Sequence, residues 1–229
     1  MDEDEPVTTW VYVNETKRAG YVLAAVTVTD PIATRKAVRS LIVPGRRRVH
    51  MNHEHVRHRR IIVSTLTAMP LAVTLYDAAR NYPTDLQARA ACLTALVRDL
   101  AATDGDTHLV LEQDDSLLHT DRLRLFQLAR ATGQRDTLHY EHQRAHAEPL
   151  LALPDVAAWC WVRSGEWRRR IQPGHRRRPL GLTTPTSAKP ERRHHQGGVS
   201  GSLPAASALG TLSVRQPTAT RDTFRAPRG

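Results

Sequence analysis

Three sets of side chains able to do acid–base or metal chemistry interrupt apolar runs, two at their ends and one inside. Asn14-Glu15 closes a β-rich run that reads Thr8-Thr9-Trp10-Val11-Tyr12-Val13. Glu112, followed by Asp114 and Asp115, closes the apolar run His108–Leu111. Asp155 stands inside Glu148-Pro149-Leu150-Leu151-Ala152-Leu153-Pro154-Asp155-Val156-Ala157-Ala158-Trp159, an otherwise apolar helical stretch. An acid at such a position needs a partner if it is buried. In open α/β sheets, ligands gather beyond the carboxyl ends of strands, where Glu15 and Glu112 would lie. Carboxylates converging there suit Mg2+ or Mn2+, hard ions that prefer oxygen. Two such ions would activate a water and stabilise the leaving oxygen of a phosphodiester. The plainer alternatives are that Glu15 and Asp114 are solvated loop acids, and that Asp155 caps the second half of a helix interrupted by Pro154.

Other reactive types carry less. His50, His53, His55 and His58 crowd one segment, and His55 and His58 would share a helical face. A zinc site needs three or four ligands in a tetrahedron, and no standard spacing or nearby Cys is present. An exposed polar face beside Arg57, Arg59 and Arg60 is the better reading, and that Arg57–Arg60 face suits phosphate. Arg168-Arg169-Arg170 and Arg176-Arg177-Arg178 follow Trp159, Trp161 and Trp167. Such interleaving can bind single strands by stacking plus phosphate contact, but helix packing is the commoner fate of the tryptophans. Cys92 and Cys160 fall in apolar helical surroundings and are expected to be buried rather than nucleophilic. No Gly-rich phosphate loop, Gly-x-Ser-x-Gly elbow or Cys-x-x-Cys pair occurs.

The elements that must position these residues follow from pattern. Val7–Glu15 and Gly20–Thr29 are β-rich and joined by a short polar link, as in a hairpin. Asp30-Pro31 opens a helical stretch to about Ile42. Arg48–Asn52 is expected to form a short strand, His53–Ala68 a helix and Leu71–Tyr76 a strand. Thr84–Ala102 is the clearest helix, with Leu86, Ala90, Leu93, Leu96, Val97 and Leu100 at helical spacing and Thr84 placed to cap it. His108–Leu111, His119–Ala131, Thr137–Glu141 and Glu148–Val162 then read strand, helix, strand, helix. A hairpin joined to a βαβαβα half predicts a mixed α/β sheet with helical crossovers.

Charge separates this domain from what flanks it. The 229 residues carry a formal net charge of +10. Beyond Gln172, ten basic residues face two acids, so most of the excess lies outside the expected domain. That segment also holds seven of the 14 prolines and seven of the 12 glycines. The expected organisation is a disordered acidic N-terminus over 1–6, one α/β domain over 7–172, and a disordered basic C-terminal tail over 173–229. The tail is either a solvated extension or a nucleic-acid tether. Two cysteines exclude a disulfide-stapled scaffold. The acidic start lacks the basic, then apolar, pattern of a secretory signal, and no apolar run is long enough to span a bilayer. A cytoplasmic protein is expected.

The same chemistry-bearing residues resemble a known family. Tyr12-Val13-Asn14-Glu15-Thr16 resembles the Tyr-x-Asp-Glu-Ser opening of the bacterial domain-of-unknown-function family numbered 3800. Leu109-Val110-Leu111-Glu112 is similar to its central apolar strand ending in an acid. Glu148–Ala158 is similar to its closing helix. The resemblance spans residues 9 to about 165. It implies a ribonuclease H-like fold, with strand order 3-2-1-4-5 and a carboxylate site on strands one and four plus the last helix. It also implies Mg2+- or Mn2+-dependent nuclease chemistry, with Glu112, Asp155 and Glu15 as catalytic groups and Asn14, Glu112 and Asp155 as metal ligands. The departures bear on function. Asn14 replaces the family's first Asp and brings no charge, Glu112 replaces a shorter Asp, and Thr16-Lys17 replaces Ser-Gly. Glu15 points to the opposite strand face from Asn14, so it does not automatically substitute. Two functions therefore compete: a metal-dependent nuclease or phosphodiesterase, and a catalytically degenerate module that binds nucleic acid or protein.

Overall fold

A computed structural model describes residues 8–171 and 174–181. Its first two strands, β1 (Thr9–Thr16) and β2 (Tyr21–Val28), form the expected antiparallel hairpin. Gly20 makes the turn possible: it sits at φ +104°, and a Cβ there would come within 2.5 Å of the Ala79 carbonyl oxygen. Helix α1 (Pro31–Ser40) starts where Asp30 accepts a hydrogen bond from the Ala33 amide, with Pro31 in its first turn. Helix α2 (Val56–Thr67) leads into β3 (Leu71–Ala79), and α3 (Asp85–Leu100) is capped by Thr84, which accepts from the Gln87 amide. β4 (Thr107–Glu112), α4 (Leu118–Ala131) and β5 (Leu138–Gln143) complete the alternating half. The chain then makes a 3-10 turn over Pro149–Leu151, enters α5 (Ala152–Arg163) and ends in α6 (Gly165–Ile171) and β6 (His175–Pro179).

The sheet order is β5-β4-β1-β2-β3-β6. It is the expected 3-2-1-4-5 order with one strand added beyond β3. β2 is antiparallel to both neighbours, whereas β1–β4, β4–β5 and β3–β6 are parallel. Alternate residues of β1 serve two cores. Tyr12 packs with α1, α2 and α5, and Val11 and Val13 pack with α3 and α4.

Two sequence expectations are corrected. Arg48–Asn52 forms no strand: a 3-10 turn occupies Met51–His53, because Met51 is buried under α5 while its neighbours stay outside. The expected disordered tail does not begin at 173, because His175–Pro179 pairs with β3 along Val73–Asp77. Its arginines are held by acids already in place: Arg177 Nη2 lies 2.9 Å from buried Asp77, and Arg178 pairs with Asp99. Composition hid this strand because its side chains are basic and only its backbone pairing is strand-like. The expectations for 1–6 and for 182–229 lie outside the described residues.

Candidate active-site cleft

Because β1 and β4 are parallel neighbours, their carboxyl ends emerge together. The last register pair is Val13 with Leu111, which sets Asn14 beside Glu112 on the face that packs against α5. Pro154 is tolerated in the first turn of α5, where its missing N–H has no helical partner to lose. Asp155, Ala158, Trp159 and Val162 then form one stripe of α5 at helical spacing along a cleft of about 660 Å³. Asn14, Glu112 and Asp155 line this cleft together, with Lys17, Arg48, His50 and Asn52.

Hydrogen bonding distinguishes the three expected ligands. The Asn14 side-chain oxygen accepts from the Glu15 amide at 2.7 Å, so one lone pair of a neutral ligand is already used. Glu112 accepts from Arg48 Nη1 at 2.9 Å. Asp155 Oδ2 is buried and has no hydrogen-bond partner, and His50 Nδ1 is the nearest cationic candidate at 3.7 Å. Asp155 therefore does not act as a helix cap, the plainer role open to it from sequence.

Glu15 behaves differently from the sequence assignment. Glu15 borders the cleft, but the pleat turns its carboxylate to the α3 face, where Arg89 Nη1 donates at 2.5 Å. Arg89 also grips Asp121 with Nε and Nη2, at 2.9 and 2.6 Å, and reaches the Tyr21 hydroxyl at 3.1 Å. His142 Nε2 approaches the same Asp121 oxygen at 3.4 Å. Burial alone would push Asp121 up. The hydrogen bonds from Arg89 and His142 outweigh it and hold the carboxyl below its usual range. Burial likewise opposes the charge on Arg89, yet Asp121 and Glu15 keep it protonated above its ordinary value. Glu15 is a member of this buried ion network, not a free general base.

Among the described residues, no group of three or more His, Cys, Asp or Glu side chains is arranged to hold a metal ion. The donor set in the cleft does not fit a two-ion carboxylate site. One expected acid is an amide, Glu112 holds a guanidinium, the other cleft acids Asp114 and Asp115 are bonded by Ser116 and by Gln113 and Arg144, and one buried Asp155 oxygen has no partner. The histidine-rich segment does not assemble a zinc site either: His58 bonds Glu54 at 2.7 Å, whereas His50 packs edge-on against His53. Burial pushes the Cys92 and Cys160 thiols up to about 12, as expected of inert packing cysteines.

Sequence reasoning missed Arg48 and Asn52 as cleft residues because they sit in an irregular loop with no periodicity. It also missed the Arg89–Asp121 pair, whose two halves lie on different helices. The histidine density did mark His50, though as an exposed face.

The strand order and directions define a ribonuclease H-like α/β fold with an added edge strand. No protein-family model matches the chain. No curated protein matches it either. Solved structures similar to it include a glutamine-to-alanine mutant of Bst-RNase HIII, at 15% identity and a TM-score of 0.43, covering 73% of this chain and 54% of that one. The complex of Bst-RNase HIII with Mn2+ is similar to the same degree, with 15% identity, a TM-score of 0.43 and 74% and 55% coverage. The chain spans about half the length of these solved chains.

Proposed function

We propose that this chain is a nucleic-acid-binding protein of ribonuclease H-like fold whose cleft is degenerate for two-metal phosphodiester hydrolysis. The observation that carries this reading is Asn14, a neutral side chain at the first ligand position whose oxygen already accepts from the Glu15 amide. Arg48 on Glu112 supports it, as does the excess of positive charge over the chain. A unit charge about 4 Å away at an effective dielectric near 20 is worth about 4 kcal/mol. The Arg48–Glu112 pair is partly exposed, and such pairs are worth about 1 kcal/mol or less. An acid at 14 would add charge at the ligand position itself, whereas Arg48 acts by holding one Glu112 oxygen. Membership of the family numbered 3800 is part of this proposal and is supported by the placement of Asn14, Glu112 and Asp155 along one cleft.

A second reading, a weak Mn2+-dependent nuclease using Glu112 and Asp155, is favoured by the unpartnered Asp155 oxygen. Calorimetric titration of Mn2+ separates the two. The wild type is expected to bind no tighter than about 1 mM, the range of weak oxygen sites. Asn14→Asp is expected to tighten binding at least tenfold, or about 1.4 kcal/mol, and Arg48→Ala by less. Tight Mn2+ binding by the wild type with no gain in Asn14→Asp, together with cleavage of RNA or DNA, would overturn the degenerate reading and establish the second.

A further inference from the structure

We propose that arginines of α2 and α6, with Arg163 at the end of α5, form a track beside the cleft for the sugar–phosphate backbone of nucleic acid, without reading bases. This rests on the nucleic-acid reading above and specifies how such a ligand is held.

The three helices meet at Trp159. Its ring is covered by Arg59 of α2 and by Arg163, each 5.1 Å from the centroid, and by the edge of Trp167 from α6 at 5.2 Å. Trp159 also lines the cleft, so this junction adjoins the cleft wall. The next tryptophan of α5, Trp161, carries Arg168 at 4.1 Å and Arg177 at 5.5 Å. Trp159 is 5% exposed and Trp161 8%. With guanidinium groups already over these rings, they are not open to a stacking base, so the stacking mode of single-strand recognition is closed to them.

The guanidinium groups themselves are in a different state. Arg57 and Arg60 of α2, Arg163, and Arg169 of α6 are exposed and have no ion-pair partner among the described residues. Arg59 is different, because it is spent on the Met51 and Asn52 carbonyls. Glu166 is the acid of this patch, and it is already bonded to Arg170. Arg60 and Arg169 lie close enough to join Arg170 in holding its carboxyl below the usual range. Exposed guanidinium groups with little opposing charge, on a surface whose aromatic faces are taken, fit a polyanion held by phosphate contacts.

The test is fluorescence anisotropy of the full chain with labelled duplexes of about 20 base pairs in two unrelated sequences, over a salt series. Each phosphate that is no longer neutralised lowers the log–log salt slope by about 0.9 on duplex DNA. Arg57→Gln/Arg60→Gln/Arg169→Gln changes only exposed side chains. It is expected to lower the slope by about 2.7 for three phosphates, with the two sequences bound within threefold of one another. The control, Arg98→Gln/Arg122→Gln/Arg124→Gln, removes equal charge from α3 and α4 on the other side of the sheet and is expected to leave the slope nearly unchanged. An unchanged slope in the first variant, an equal fall in the control, or a preference above tenfold between sequences would overturn the track. Binding that survives in the first variant with an unaltered slope refutes the track alone. Absence of binding by the wild type refutes the nucleic-acid reading on which it rests, while the Mn2+ titration of Asn14→Asp still reports on the cleft.

Discussion

Arg89→Met tests the buried ion network behind the cleft. Arg89 is 2% exposed and bonds Asp121 through two nitrogens, Glu15 through a third contact and Tyr21 through a fourth. Methionine keeps the unbranched apolar stem, so the change removes charge and hydrogen bonds more than volume. Glu15 retains Lys17 at 4.0 Å, but Asp121, 2% exposed, is left with His142 alone. Removing one partner of a buried pair costs about 3–5 kcal/mol, which we expect from denaturant unfolding at pH 7. The sign of the pH dependence is the sharper test. In the wild type the Asp121 carboxyl is held low, so its contribution is present above the unfolded value of about 3.9 and is lost as pH falls through the lower folded one. In Arg89→Met, burial without the guanidinium raises the folded value above the unfolded one. The variant then recovers stability relative to the wild type as pH falls from 7 toward 5. Arg89→Met/Asp121→Leu should recover most of the stability at pH 7. A destabilisation below about 1 kcal/mol at pH 7, or a difference from wild type that does not shrink at pH 5, would refute this account.

Gly20→Ala should destabilise by more than about 1 kcal/mol in equilibrium unfolding, because a Cβ at φ +104° meets the Ala79 backbone at 2.5 Å. Truncation after Gln172 should lower the melting temperature by several degrees, since it removes β6 and uncovers buried Asp77, a cost of about 1–3 kcal/mol. Truncation after Gly181 should leave the melting temperature nearly unchanged, because the residues removed are rich in Pro, Gly and Ser and have no apolar period. Thr84→Ala should cost about 1 kcal/mol by removing the hydrogen bond it accepts from the Gln87 amide at 3.2 Å.

The sheet core was legible because its strands and helices carry clean periods. Thr84 and the apolar positions of α3 announce that helix, the Asn14 and Glu112 positions follow from where apolar runs stop, and Asp155 stands out as the acid inside an apolar helical run. What stayed hidden depends on non-local partners. The β6 sequence His175-Arg176-Arg177-Arg178-Pro179 has no large apolar side chain; its backbone pairs along β3, and Asp77 and Asp99, far away in the chain, offer counter-charge to its arginines. Arg48 enters the cleft from a loop whose conformation is set by Met51 burying itself beneath α5. Arg89 reads as one more residue of an amphipathic helix, and nothing local marks it as 2% exposed.

One strand end serves two electrostatic sites here, and that constrains how the cleft could take on a further carboxylate. Asn14 faces α5 and the cleft, while Glu15, one residue on, faces α3 and belongs to Arg89. Rotating Glu15 toward the cleft would require either a one-residue slip of β1, which would also exchange Val11 and Val13 with Tyr12 between the two cores, or breaking of its bond to Arg89. Each of these is more costly than a single substitution at position 14. In Asn14→Asp one carboxylate oxygen could keep accepting from the Glu15 amide while the other turned to the cleft, leaving both cores and the network intact. The position open to an added acid is therefore set by the pleat: an acid at 14 is compatible with the fold, and recruiting Glu15 is not.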